Sequence, residues 1–341
     1  MIRERLAAQL LAGPTERDPV AVVERLLAVQ AQDARGARLA IRARTTGLSV
    51  TDVDRAMTED RSLLITWLNR GTLHLVASDD YPWLHALTTP PLLTGNRRRL
   101  AQEGVTPDGA ERAVTGIERS LAEEGPLTRA QLKERIDRVG VRTAGQALVH
   151  LLMLACLRGL AVRGPMVGRE HAYVLVRDWL GEPKAVSRER ALAELARRYL
   201  AGHSPADERD LARWAGIPLR DARAGLTSIA TDLAVRSGGL VELAGAVSAP
   251  RLPPPRLLGP FDPLLMGWRS RAPILGEHEP RVVSGGLFRP IALVRGRALA
   301  TWRLKDGQVK LEPFIPLART AAAALEADAR GVLHFLRQPG G

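Results

Sequence analysis

Apolar positions along this chain recur mostly at helical spacing, and glycine or proline interrupts them at regular intervals. Val22, Val23, Leu26 and Leu27 make one apolar face behind Asp18-Pro19, a cap followed by a proline at the first helical position. The pattern then predicts a helix over residues 35–44, ended by Gly47, and another over 50–57 behind Ser49. Paired strands are expected at 63–68 and 73–76 around Arg70-Gly71, followed by a helix capped by Ser78 and running through Leu87. Residues 109–124, 129–138 and 143–158 read as three helices, and the strand-like runs 160–163 and 171–176 follow, joined by Gly164-Pro165 and Gly168. The same order returns with helices at 187–201, 206–215 and 219–230 and strands at 233–236 and 240–243.

Three helices closed by a β-hairpin is the arrangement of a winged helix-turn-helix. Each unit is too small to bury a large core alone, so the units are expected to pack on one another. The fold expected is therefore mainly α with small β elements: three tandem winged helix-turn-helix units and a C-terminal α+β or β-barrel-like domain. The boundaries expected are 1–105, 106–182 and 183–250 for the three units, and 256–341 for the β-rich domain. Arg251-Leu252-Pro253-Pro254-Pro255 reads as a stiff linker between them. Beyond it, strands are predicted at 291–294, 297–302 and 308–313, with hairpin turns at Gly296 and Asp306-Gly307. A last helix over 318–330 precedes 334–336.

Composition narrows the function classes. The chain has 341 residues, 45% of them hydrophobic and 25% charged, enough to build cores and too apolar for a disordered segment. No apolar run approaches the ~20 residues of a membrane helix, and the N-terminus has no signal-peptide core, so a cytoplasmic protein without membrane contact is expected. A single cysteine, Cys156, excludes a disulfide framework and a multi-cysteine zinc site. The seven histidines do not cluster, and no metal-binding or phosphate-cradling motif occurs, so neither metal nor cofactor is expected.

Charge gives the strongest compositional signal. Lys+Arg total 49 against 37 Asp+Glu, a net charge of +12, and all but four of the basic residues are arginine. A GC-rich genome accounts for arginine over lysine but not for the excess, which attracts polyanions whatever its origin. With winged helices, it points to nucleic acid.

Four stretches carry a resemblance: Gln30-Ala31-Gln32-Asp33; Trp67-Leu68-Asn69-Arg70-Gly71-Thr72-Leu73-His74-Leu75; Phe261-Asp262-Pro263-Leu264-Leu265; and Gly296 through Arg303. Together they resemble the AlkZ-like family, bacterial winged-helix DNA glycosylases that excise bulky N7-alkylguanine adducts and unhook interstrand crosslinks. The resemblance runs almost end to end. It implies a monofunctional glycosylase acting on double-stranded DNA that carries alkylated guanine, a role in genotoxin resistance, and Gln30 and Gln32 as the catalytic pair. An amide is no general base, and ordinary glycoside cleavage uses two carboxylates. An N7-alkylated guanine, however, is already cationic and leaves without protonation. Two amide carbonyls then suffice to hold the attacking water and stabilise the oxocarbenium-like sugar.

The DNA-facing residues expected are Asp33 and Arg35 beside the pair, Trp67, Arg70, Thr72 and His74 in the second stretch, Asn96, Arg97 and Arg98, and Arg269 and Arg271. Each has a bland counterpart. Gln30 and Gln32 fit a surface helix end, and Trp67 fits a core strand. Arg70 fits a partner of Asp52 or Asp54, and Thr72 a turn closure. Residues 94–99, with no acid between Asp80 and Glu103, read as a basic loop or helix start suited to backbone contact, and fit a solvated charge run as well. Trp268 fits a core plug, and Asp262 a turn. The four lysines lie away from the glutamine pair, so a Schiff-base route is disfavoured and the reaction is expected to stop at an abasic site. The alternatives to an enzyme are a non-catalytic DNA-binding regulator or lesion sensor, and a protein-interaction scaffold. No dimerisation segment is evident, so a monomer is expected.

Overall fold

The computed structural model describes residues 1–168, 170–182, 186–245 and 251–337. The expected domain ends at residues 183, 250 and 341 lie outside them. About 53% of the structure is helix and 19% strand, so helix dominates as the patterning predicts. The strands form small antiparallel sheets. Two compact units divide the chain: Met1–Val53 with Glu189–Gly341, and Asp54–Arg188. No helix among the described residues is long and apolar enough to cross a membrane.

In the unit Asp54–Arg188, the helix Pro107–Glu124 starts at Thr106, whose side chain accepts from the Gly109 amide, and stops at Gly125 with φ 80°. Arg129–Arg138 opens with a capping box between Thr128 and Gln131. The third helix, Ala147–Leu157, starts later than expected. Its expected first residue, Thr143, instead spends its hydroxyl on Asp137, 2.5 Å away, and Gly145 at φ 62° completes the turn. Strands Ala161–Val167 and Glu170–Leu175 follow and pair antiparallel. A second hairpin, Leu63–Leu68 with Thr72–Ala77, joins the first through Ile65 and Arg163, so the strands run 72–77, 63–68, 161–167, 170–175. The core of this unit packs Trp67, Ile117, Leu132, Ile136, Leu151, Leu154 and Tyr173.

Two local expectations fail here. The helix expected from Ser78 begins at Tyr81, and the Ser78 hydroxyl bonds the Arg61 carbonyl oxygen instead. The Arg97–Arg99 run sits well inside a helix, Pro90–Gln102, rather than in a loop or at a helix start. Pro90 and Pro91 occupy the tolerated first turn of that helix, and its buried Asn96 and Leu100 face inward.

In the other unit, helices Arg188–His203, Glu208–Ala215 and Leu219–Ser228 precede the hairpin Leu233–Val235/Val241–Leu243. Helix Glu208–Ala215 has a capping box between Asp207 and Asp210 and closes on Gly216 in the left-handed region. The segment beyond the linker is an open antiparallel sheet in the order Gln308–Pro313, Arg297–Lys305, Ile291–Val294, Arg256–Leu258. It is the α+β form of the two expected, since these strands do not close on themselves. Positive φ at Arg295-Gly296 and Asp306-Gly307 makes the predicted tight turns. The last helix runs unbroken over Arg319–Leu336, beyond the expected end at 330. Leu325, Val332 and Phe335 repeat at helical spacing and are buried, which carries the helix through 334–336 despite Gly331.

Candidate active site

The helix Pro19–Leu26 stops because Leu27 takes φ 65°, and the chain continues extended through Val29–Gln30. Gln30 and Gln32 are therefore not a helix end. In extended chain, residues two apart point to one side, and Val29 and Ala31 turn the other way into the core. The two amides meet: Gln30 Nε2 donates to Gln32 Oε1 at 2.6 Å. Gln32 is exposed, whereas Gln30 is only 6% exposed and its own carbonyl oxygen has no hydrogen-bond partner. A buried acceptor left unused is unusual and costly.

Asp33 has a structural duty. It caps the helix Ala34–Arg42, its side chain accepting from the Gly36 amide at 2.6 Å. Arg35 is exposed in the first turn. This helix is held tightly from behind. Gly36 packs on the Pro260 backbone so closely that a Cβ there would lie 2.6 Å from its carbonyl oxygen. Arg44, fully buried, forks onto Asp262 at 2.8 and 2.9 Å and also donates to the Ala40 carbonyl and to Gln9. Asp262 in turn caps the short helix Pro263–Met266. Arg42 forks onto Asp328, both bonds at 2.8 Å. The Phe261-Asp262-Pro263 stretch thus acts by anchoring the helix that follows the glutamine pair. A buried carboxylate held on both oxygens by Arg44 and engaged at a cap is a structural anchor.

The second constellation lies in the other unit, on the Leu63–Leu68/Thr72–Ala77 hairpin. Asn69, Arg70 and Gly71 take φ of 20°, 46° and 78°, so Arg70 stands exposed at the tip of a tightly wound turn. Trp67 is 5% exposed, and the Arg163 guanidinium lies 5.1 Å from its ring centre, so it is core and is not available for base stacking. The Thr72 hydroxyl is buried without a partner. His74 Nδ1 lies 2.9 Å from the Thr72 carbonyl oxygen and so carries its proton there. Burial, with the Arg70 charge adding to it, pushes the His74 imidazole down to about 3. It is neutral at physiological pH and adds no positive charge for phosphate.

The remaining candidates divide. Arg97 and Arg98 are exposed on the helix Pro90–Gln102. Asn96, on the same helix, is 3% exposed and bonds His150, so it turns away from solvent. Arg269 spends its side chain on Asp207 and Asp210, and Arg271 bonds the Leu265 carbonyl and Glu279 while lying over Phe288. Trp268 is buried, with its indole N–H on the Pro205 carbonyl at 3.1 Å and Arg5 stacked over it. Sequence reasoning missed three features: the Arg44–Asp262 anchor, His150, and Asn69, which is fully buried with both amide atoms unpartnered. No local pattern marks the first two. Asn69 lies inside the second stretch, but only its burial singles it out.

Among the described residues no group of three or more histidine, cysteine, aspartate or glutamate side chains is arranged to hold a metal ion. The chain matches the family described as DNA glycosylase AlkZ-like over residues 23–335. The chain belongs to the AlkZ-like DNA glycosylase family. It is 28% identical over 355 aligned positions to an interstrand DNA cross-link repair glycosylase of Streptomyces sahachiroi, covering 96% of this chain and 93% of that protein. The solved structure of the S. sahachiroi DNA glycosylase AlkZ superimposes with a TM-score of 0.80 at 25% identity, over 98% of this chain and 95% of that one. The AlkZ-like assignment thus rests on both sequence and fold, and the glutamine pair falls inside the matched region.

Proposed function

We propose that this AlkZ-like chain is a monofunctional DNA glycosylase for bulky, cationic N7-alkylguanine adducts, with Gln30 and Gln32 as its catalytic residues, and that it serves interstrand cross-link repair. The observation that carries this reading is the unpartnered Gln30 carbonyl oxygen beside the Gln30–Gln32 hydrogen bond. It is a desolvated acceptor for which the chain supplies no donor. Water at that oxygen is the natural occupant. The glycosidic electron pair departs onto the positively charged purine and neutralises it. The water oxygen bonds to C1′ of the sugar and its proton passes to solvent. The aligned amide dipoles favour the cationic sugar in between. A neutral base gains none of this, so uracil is a poor substrate.

The three described lysines, Lys133, Lys305 and Lys310, are all exposed, which supports a reaction ending at the abasic site. In this reading, 1–105, 106–182 and 183–250 are winged-helix units, 256–341 is their C-terminal support, and the protein is a cytoplasmic monomer on damaged duplex. Arg70 and the exposed Arg97 and Arg98 supply backbone contacts.

The test uses duplex DNA carrying N7-methylguanine or a crosslinking-agent adduct, treated with hot alkali after incubation. Strand breaks are expected with the wild type. They are expected to vanish in Gln30→Ala and Gln32→Ala while DNA affinity is retained. Binding without breaks in the wild type overturns the enzyme in favour of a lesion sensor or regulator.

A further inference from the structure

The helix Ala147–Leu157 contains no charged residue, and nine of its eleven residues are buried. His150 and Val149 are the two that reach partial exposure. A helix apolar on all sides cannot lie in a DNA groove, and this one is covered by the helix Pro90–Gln102. The covering helix brings its own polar chemistry to His150. Asn96 Nδ2 donates to the His150 carbonyl oxygen at 3.1 Å, and Asn96 Oδ1 lies 3.0 Å from His150 Nδ1. The first bond orients the amide, so Oδ1 must accept and Nδ1 must carry the proton. Nε2 is then the bare nitrogen of the ring. A buried asparagine that bonds both the backbone carbonyl and the ring Nδ1 of one half-buried histidine fixes the orientation and tautomer of that ring.

Its surroundings are cationic. Arg97, Arg98 and Arg99 are exposed on the covering helix, whose next acid is Glu103. Glu103 Oε2 is already held by the Gln146 amide at 3.0 Å, and the Glu103 carbonyl by Arg142. From the packed helix Pro107–Glu124, Glu111 is taken by Arg158. From the strand Ala161–Val167, Arg163 lies against Trp67 and Tyr173. His150 itself contributes the only titratable group of its helix apart from the inert Cys156, which is buried at the far end.

We propose that His150, clamped by Asn96 beside the Arg97–Arg99 row, is a contact for a phosphate of the DNA backbone and takes a proton from solvent onto Nε2 as the DNA binds. The inference rests on the glycosylase reading for its choice of partner. Burial lowers the His150 pKa, Arg99 lowers it further, and Glu103 opposes them. The free protein is therefore neutral at this site near pH 7. A phosphate oxygen at Nε2 supplies the negative charge that stabilises the imidazolium, which then donates to it. The complex holds a proton that the free protein lacks, so affinity rises as pH falls between the two pKa values.

The experiment is equilibrium binding of the full chain to a short undamaged duplex at fixed salt, from about pH 5.5 to 8. Wild-type affinity is expected to rise on acidification by about tenfold per pH unit at the steepest. In His150→Gln the slope should flatten. In His150→Arg affinity should be high and flat. Ring-nitrogen NMR of the wild-type histidine should show Nε2 protonated at a higher pH with DNA than without. An unchanged pH slope in His150→Gln, or an Nε2 titration that DNA does not move, overturns the proposal. Absence of salt-sensitive DNA binding overturns the glycosylase reading itself, and adduct release by a protein whose binding ignores pH overturns only the phosphate contact.

Discussion

Two buried amides in this molecule are treated in opposite ways. Asn96 is 3% exposed and spends both ends on His150. Gln30 is 6% exposed, spends its nitrogen on Gln32 and leaves its carbonyl oxygen idle. Both cost desolvation, but only the first recovers it within the fold. A fully bonded amide positions a neighbour, and a half-bonded one is poised for something that is not part of the chain. The backbone context agrees. Asn96 sits in mid-helix, where neighbouring turns fix it. Gln30 sits on a two-residue extended segment just ahead of Asp33 and the helix anchored by Arg44 and Arg42.

The largest expected effect separates the two amides directly. Gln30→Leu should reduce adduct release by roughly 10²–10³-fold, as loss of one preorganised dipole does elsewhere. Its thermal stability should hold or improve, because an unsatisfied polar atom is removed. A clear fall in melting temperature would mean that Gln30 is an ordinary structural amide, and the contrast would collapse.

Asn96→Leu should show the converse. It strands the His150 Nδ1–H and removes the second bond to the His150 carbonyl, so stability should fall by about 1–3 kcal/mol in denaturant titrations, with the chemical step at saturating DNA little changed. A stability change near zero would show that the two bonds are not holding His150.

Asp33→Ala is a smaller, sharper probe. Losing the cap on the helix Ala34–Arg42 should cost about 1 kcal/mol of stability. Asp33→Asn, which still caps, should recover most of it. If Asp33→Asn instead loses adduct release as fully as Gln30→Leu, the carboxylate takes part in the reaction and the assignment of chemistry to amides alone must change.

Much of the architecture was legible along the chain, for reasons that are local. Thr128 with Gln131 three residues on is a capping box before any packing is considered, and the helix appears over Arg129–Arg138 as read. Asp306-Gly307 is a tight turn because its backbone must take positive φ, and the strands on either side pair as expected. Failures came where a distant partner outbid a local signal. Thr143 looked like the start of a helix, but Asp137 claimed its hydroxyl. Asn96 looked like part of a basic surface, but helix Ala147–Leu157 drew it inward. Arg269 and Arg271 looked available, but acids and carbonyls within the fold engage them.

Residue order alone determined most of the segments that become helix or strand, the sign and excess of charge, and the motifs that tie the chain to a glycosylase family. Periodicity, caps and turn chemistry act over a few neighbours, so they are written in neighbouring letters. Which polar groups end up satisfied was decided only by packing. Whether the Gln30 carbonyl oxygen lacks a partner while Asn96 makes two hydrogen bonds depends on residues up to 54 positions away, and the free energy of a buried polar atom is set by whatever the folded chain brings to it.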